Sequence, residues 1–149
     1  MNVLSLFDGG SCGQVALKNL GIPITSYRAS EVDKWAIKIA KKNHPDMIHI
    51  GDVRDVQASD LPQIDLILAG SPCQDLSFAG KGAGLEGERS GLFYEFLRLL
   101  IELKPKYFLL ENVRMKAEYK DHISELLGVE PIEINSALVS AQNRNRLYW

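Results

Sequence analysis

The sequence predicts a doubly wound α/β fold, a mainly parallel sheet with helices on both faces. Three observations carry it. Short apolar runs rich in branched residues alternate with stretches of helical period. One of those runs, Ile64 to Ala69, is apolar on both faces, as the centre of a parallel sheet requires. The runs end in glycine or polar residues, at the edge where such sheets bind ligands.

Asn2 to Phe7 reads as the first strand, followed by a glycine-containing turn and a helix over Gln14 to Leu20. Ile24 to Val32 is the second strand, and Lys34 to Asn43 the second helix, with Asp33 as its N-cap and Pro45 just beyond its end. Met47 to Ile50 is a short strand ending in Gly51-Asp52, and Ile64 to Ala69 stops at Gly70-Ser71-Pro72. Leu92 to Leu103 is amphipathic, Tyr107 to Leu110 is a buried strand, and Lys116 to Leu127 is a helix closed by Gly128. Val129 to Leu138 and Leu147 to Trp149 read as two last strands around the polar stretch Gln142 to Arg146. An apolar end at Leu147-Tyr148-Trp149 is expected to be a strand cut short or completed by a partner. Ala79 to Gly91, with five glycines, is expected to be the most flexible stretch.

A length of 149 residues suits a single domain that buries roughly 70% of its unfolded surface. There is no long apolar run and no basic-apolar leader, so an intracellular, cytoplasmic protein without a membrane anchor is expected. The net charge of −2 gives no electrostatic reason for a polyanionic partner. Cys12 and Cys73 fit neither a metal-ligand spacing nor a disulfide framework, and no metal is expected.

The strand ends carry the chemistry. Phe7-Asp8-Gly9-Gly10-Ser11-Cys12-Gly13 allows close approach of a ligand to a helix start, or is simply a structural turn. Glu31, ending the second strand, suits a ribose diol, or is a solvated acid. Asp52 could accept from an adenine amino group, or serve as a turn residue. Three such signals at successive strand ends describe an adenosine-type pocket. Cys73 follows Pro72 on polar backbone and is nucleophile-like, although a lone cysteine is more often a small buried hydrophobe. Glu111 is either a capped structural acid or an acid/base of raised pKa, and its pairing with Cys73 on a neighbouring element favours the second.

These residues resemble the cytosine-C5 DNA methyltransferases. The resemblance rests on Phe7-x-Gly9 with Gly13, Glu31, Asp52-Val53, Gly70-Ser71-Pro72-Cys73-Gln74, Arg89-Ser90-Gly91-Leu92-Phe93, Glu111-Asn112-Val113 and Gln142-x-Arg144-x-Arg146, all in family order. It implies a Rossmann-like methyltransferase fold using S-adenosylmethionine, restriction-modification or related DNA methylation, and a cytosine flipped out of the duplex. It further implies that Cys73 attacks C6, Glu111 binds N3 and the exocyclic amine, Arg146 holds O2 and Arg144 supports the site. Phe7, Asp8, Gly9, Gly10, Cys12, Glu31, Val32, Asp52, Val53, Gly70, Pro72 and Leu92 would line the cofactor pocket. Gln74, Ser77, Arg89, Val113 and Gln142 would face nucleic acid, and Ala79 to Gly91 would close over the base.

Family members continue into a target recognition domain and a returning segment that completes the pocket. Neither is found in these residues, so the fold is expected to be truncated at its C-terminal edge. The chain is then one piece of a split or interrupted enzyme, or an experimental truncation, with a second polypeptide or self-association completing the sheet and supplying target recognition. Alternatives are a non-catalytic cofactor-binding remnant or regulatory module, and methylation of transfer RNA. By this reading the isolated chain binds S-adenosylmethionine weakly or not at all.

Overall fold

A computed structural model describes residues 1–72 and 91–149. The chain divides into two compact units, Met1–Gly70 with Tyr94–Leu109, and Ser71–Phe93 with Leu110–Trp149.

The first unit holds four parallel strands, β1 (Asn2–Leu6), β2 (Ser26–Ser30), β3 (Ile48–Gly51) and β4 (Leu66–Ala69), in the order β3-β2-β1-β4. Helices α1 (Cys12–Asn19) and α2 (Lys34–Asn43) make the first two crossovers. The chain winds outward from β1 to β3 and then returns to the other side of β1. The carboxyl ends of β1 and β4 therefore flank a switch point, where open α/β sheets bind ligands. Val3, Tyr27, Ala29 and Leu66 pack with Leu17 of α1 and Ala40 of α2. Leu4, Leu6 and Ile67, which alternate with Val3 and Leu66 along their strands, are buried as well. Both faces of the sheet are thus covered, as the apolar fourth strand predicts.

Local signals set the helix ends. The Asp33 carboxylate accepts from the backbone N–H groups of Trp35 and Ala36, the N-cap role read from the sequence. In α1, a Cβ on Gly13 would lie 2.6 Å from Leu68 Cδ1 and 3.0 Å from the Tyr27 hydroxyl. A larger residue here would force the Leu68 side chain to shift, so glycine lets the helix press closely on the sheet. Helix α3 (Gly91–Leu103) buries Phe93, Phe96 and Leu99.

Strand β5 (Tyr107–Val113) begins in the first unit and ends in the second. There it pairs antiparallel with β7 (Asn145–Tyr148), which pairs antiparallel with β6 (Ile132–Asn135). Helix α4 (Ala117–Leu127) ends at Gly128, whose left-handed backbone (φ 68) directs its N–H to the Ser124 carbonyl.

Two expectations are corrected here. The apolar end is not an unsatisfied edge: β7 lies between β5 and β6, and Leu147 and Trp149 are each 6% exposed. Trp149 exchanges backbone hydrogen bonds with Leu110, and its indole N–H donates to Ser124 Oγ. The span Val129 to Leu138 is not one strand, because Asn135 accepts from the N–H of Ala137 and turns the chain into a short 3₁₀ segment at Ser136–Leu138.

Candidate functional site

In the first unit, the loop after β1 is left-handed at Phe7 (φ 56), Gly9 (φ 60) and Ser11 (φ 62). Phe7 and Ser11 hold this conformation against side-chain sterics, which marks a backbone fixed by its surroundings. The fixing bonds run to β2. Asp8 N–H donates to the Ser30 carbonyl, and Gly9 N–H donates to Glu31 Oε2 at 2.8 Å. Glu31 Oε1 accepts from Val32 N–H at 2.7 Å and Asp33 N–H at 2.9 Å. A carboxylate has about four acceptor positions, so Glu31 can receive a ligand hydroxyl without releasing the backbone.

Asp52 caps the short 3₁₀ turn Val53–Asp55 by accepting from Arg54 N–H. The Arg54 guanidinium lies across both of its oxygens, Nε 3.1 Å from Oδ1 and Nη2 2.5 Å from Oδ2. The hydrogen bonds from that guanidinium, then the one from the Arg54 backbone, hold the Asp52 carboxyl below its ordinary range. Arg98 of α3 reaches the same turn, donating to the carbonyls of Val53 and Val56. Val53 itself is buried.

An adenosine-type ligand fits these residues. Among the described residues nothing lies within 4 Å of a Cβ placed on Gly9 or Gly10, so the loop backbone is open to close approach. Val32, beside Glu31, is 69% exposed and offers an apolar surface to a ring. Cys12, at the start of α1, is an exposed free thiol. Gly70 ends β4 with its N–H donating to the Leu6 carbonyl, and Pro72 and Leu92 belong to the second unit.

The second unit assembles a charged cluster across β5 and β7. Val113 stands opposite Arg146, and Glu111 opposite Tyr148. Glu111 and Arg146 are therefore diagonal neighbours on one sheet face, within reach for long side chains. Arg146 Nε lies 2.8 Å from Glu111 Oε1, and Arg144 Nη2 lies 3.5 Å from the same oxygen. A second Arg146 nitrogen donates to the Asn145 carbonyl, which fixes the guanidinium plane. Gln142 is exposed, with its carbonyl accepting from Ser136 Oγ at 2.6 Å.

One contributor has no individual role in the sequence reading. Asn112, 1% exposed, donates to Ser71 Oγ at 3.1 Å and accepts from Val113 N–H at 2.8 Å. A buried side-chain amide needs partners. Its place between Glu111 and Val113 was the available signal, and it ties β5 to the segment that leads toward Cys73. Cys73, Gln74, Ser77 and Arg89, with residues 79–90 of the glycine-rich stretch, lie outside the described residues. Among the described residues there is no His/Cys/Asp/Glu group that could hold a metal, and no helix long and apolar enough to cross a membrane.

Comparison with known proteins adds the lineage. Residues 1–126 match the family model of the C-5 cytosine-specific DNA methylases. The chain is 40% identical to the orphan methyltransferase M.Rho11sI of Bacillus phage rho11s and 34% identical to the orphan methyltransferase M.SPRI of Bacillus phage SPR. Each match covers 99% of this chain, but 32% and 37% of those relatives, so the chain spans about a third of their length. Among solved structures it is similar to a DNA modification methyltransferase encoded within an E. coli prophage, with a TM-score of 0.77 at 28% identity, over 99% of this chain and 45% of that one. The fold is also that of the S. pombe Dnmt2 methyltransferase, with a TM-score of 0.79 at 23% identity, over 99% of this chain and 49% of the other. The Rossmann-like methyltransferase fold is thereby established.

Proposed function

Because the chain belongs to the C-5 cytosine-specific DNA methylase family, we propose that it forms the cofactor-binding and catalytic part of an enzyme that methylates C5 of cytosine in DNA. The observation that carries this reading is the convergence of Arg144 and Arg146 on one oxygen of Glu111.

S-adenosylmethionine, the methyl donor of this family, supplies an electrophilic methyl group when bound. Glu31 receives its ribose hydroxyls, and Asp52 accepts from its adenine amino group. Asp8 faces its amino-acid end, while the backbone of Phe7, Gly9, Gly10 and Cys12 lets it approach. Val32, Val53 and Gly70 provide the remaining surface within the first unit.

On the base side, Oε1 of Glu111 is anchored by the two guanidinium groups, and Oε2 is assigned to N3 and the exocyclic amine of a flipped cytosine. Arg146 extends to the ring O2, and Arg144 holds Glu111 in place. The Cys73 sulfur adds to C6, and the C5–C6 π pair moves toward C5 and N3, where Glu111, acting as the acid, donates a proton to the developing negative charge. C5, made electron-rich in this way, would be the atom that takes the methyl group a bound donor supplies, with the sulfur–methyl bonding pair staying on the donor's sulfur. Loss of the C5 proton to a base restores the C5–C6 double bond as Cys73 departs with its own pair. Gln74, Ser77, Arg89, Val113 and Gln142 are assigned to the nucleic acid. Choice of target sequence is assigned to polypeptide beyond these 149 residues, in this or a second chain, since the relatives are about three times as long.

The test is a duplex containing 5-fluorocytosine, offered to the chain joined to, or supplemented with, a homologous second part. Fluorine cannot leave as a cation, so the attacking sulfur stays bound to DNA. Trapping should require S-adenosylmethionine and vanish in Cys73→Ser, because a serine hydroxyl is far from ionised at neutral pH. Cys12→Ser should trap normally. Equal trapping by Cys73→Ser would overturn the assignment.

A further inference from the structure

Tyr27 lies in the core of the first unit, 2% exposed, among residues where phenylalanine would pack equally well. A buried phenolic oxygen is costly unless it is hydrogen-bonded. Its partner is Asp8: the hydroxyl donates to Oδ1 at 2.8 Å. The other oxygen of the same carboxylate accepts from the hydroxyl of Ser11, a fully buried residue held at φ 62. Burial first, and the Asp8 charge second, push the Tyr27 phenol far above its ordinary range. It therefore stays protonated and acts as a fixed donor. Gly13 belongs to the same arrangement, since its missing Cβ leaves the space that the Tyr27 oxygen and Leu68 fill.

We propose that Tyr27 is a positioning residue, which with Ser11 holds the Asp8 carboxylate as the anchor for the α-ammonium of S-adenosylmethionine. This rests on the cofactor reading given above. There the ribose hydroxyls and the adenine amino group belong to Glu31 and Asp52, and Asp33 is used as a helix cap. The ammonium is the cofactor's remaining hydrogen-bond donor, and Asp8 is the acid at the end of β1 left to receive it. Two hydroxyl donors fix the carboxylate rotamer while each oxygen keeps a second acceptor position.

The experiment compares two ligands by NMR titration carried to millimolar concentration. S-adenosylmethionine carries the ammonium; 5′-methylthioadenosine has the same adenosine, with a neutral thioether in place of the sulfonium, and lacks the amino-acid end. Tyr27→Phe keeps the ring and should weaken S-adenosylmethionine by about tenfold, the size of one charge-assisted hydrogen bond, while 5′-methylthioadenosine binds as before. Asp8→Asn should show the same selective loss, and adding Tyr27→Phe to it should cost little more, because the two act through one carboxylate. Should Tyr27→Phe fail to fold, Ser11→Ala removes the other donor and is expected to give the same selectivity. Equal weakening of both ligands, or independent losses in the double variant, would overturn the role of Tyr27 and leave the cofactor reading standing. An unaltered chain that, supplemented with a homologous second part, binds neither ligand would overturn both.

Discussion

Glu31 in the first unit is held by three backbone N–H groups, from its own strand end and from the loop after the neighbouring parallel strand. Glu111 in the second unit is held by two guanidinium groups, and Arg144 lies 33 residues further along the chain. The first arrangement follows from where the backbone already is. The second exists only while β7 is inserted between β5 and β6, carrying Arg146 opposite Val113. One carboxylate is therefore held by local turns, and the other by an arrangement that depends on long-range pairing. The two should respond differently to damage.

The largest effect is expected where that pairing is anchored. Trp149→Ala removes a buried indole that bonds Ser124 and should destabilise the second unit by about 3–5 kcal/mol. Hydrogen exchange should then quicken in β5, β6 and β7 well before β1 and β2. Uniform loss of protection would break the distinction. Next comes Gly13→Ala, where the added Cβ meets Leu68 and the Tyr27 oxygen. Overpacking of this kind costs about 1–3 kcal/mol, and the exchange change should appear first in the first unit. Chemical denaturation of each variant gives the magnitude.

The same division explains what could be read in advance. Helix α2 and its Asp33 cap, the Gly128 stop and the strands of the first unit come from neighbouring residues whose periodicity and capping chemistry are local. Glu31 and Asp52 were legible as acids just past strand ends because a strand end is a local feature too, whereas Glu111, expected just beyond a strand ending at Leu110, lies within β5, which pairing with β7 extends to Val113. Three things were not legible. That the last strand would slot between two earlier ones depends on pairing partners far apart in sequence, and an apolar end looks alike whether buried or bare. The bond from Asn112 to Ser71 spans 41 residues. The Tyr27 hydroxyl meets Asp8 because parallel β1 and β2 bring them together, whereas the sequence shows only a strand aromatic.

The smallest effect belongs to Asp52, whose cation stands two residues away. Its folded carboxyl is held below the ordinary value of 3.8, chiefly by hydrogen bonds from the Arg54 side chain and then from the Arg54 backbone. A depressed folded pKa stabilises the fold fully above the unfolded pKa, and the contribution fades as pH falls through the folded one. Asp52→Asn keeps an oxygen that can accept from Arg54 N–H and so preserves the turn cap, but it abolishes the titration. The unaltered chain should therefore exceed the variant by no more than about 1 kcal/mol at pH 6, as befits a pair whose arginine is largely solvated. That margin should shrink steadily as the pH is lowered toward 3, read as the difference between two urea unfolding curves at each pH. Added salt at pH 6 should shrink it as well, because the guanidinium is open to solvent. A margin that stays constant with pH would mean that Asp52 acts through its turn cap alone, and the local ion pair would then contribute nothing to the first unit.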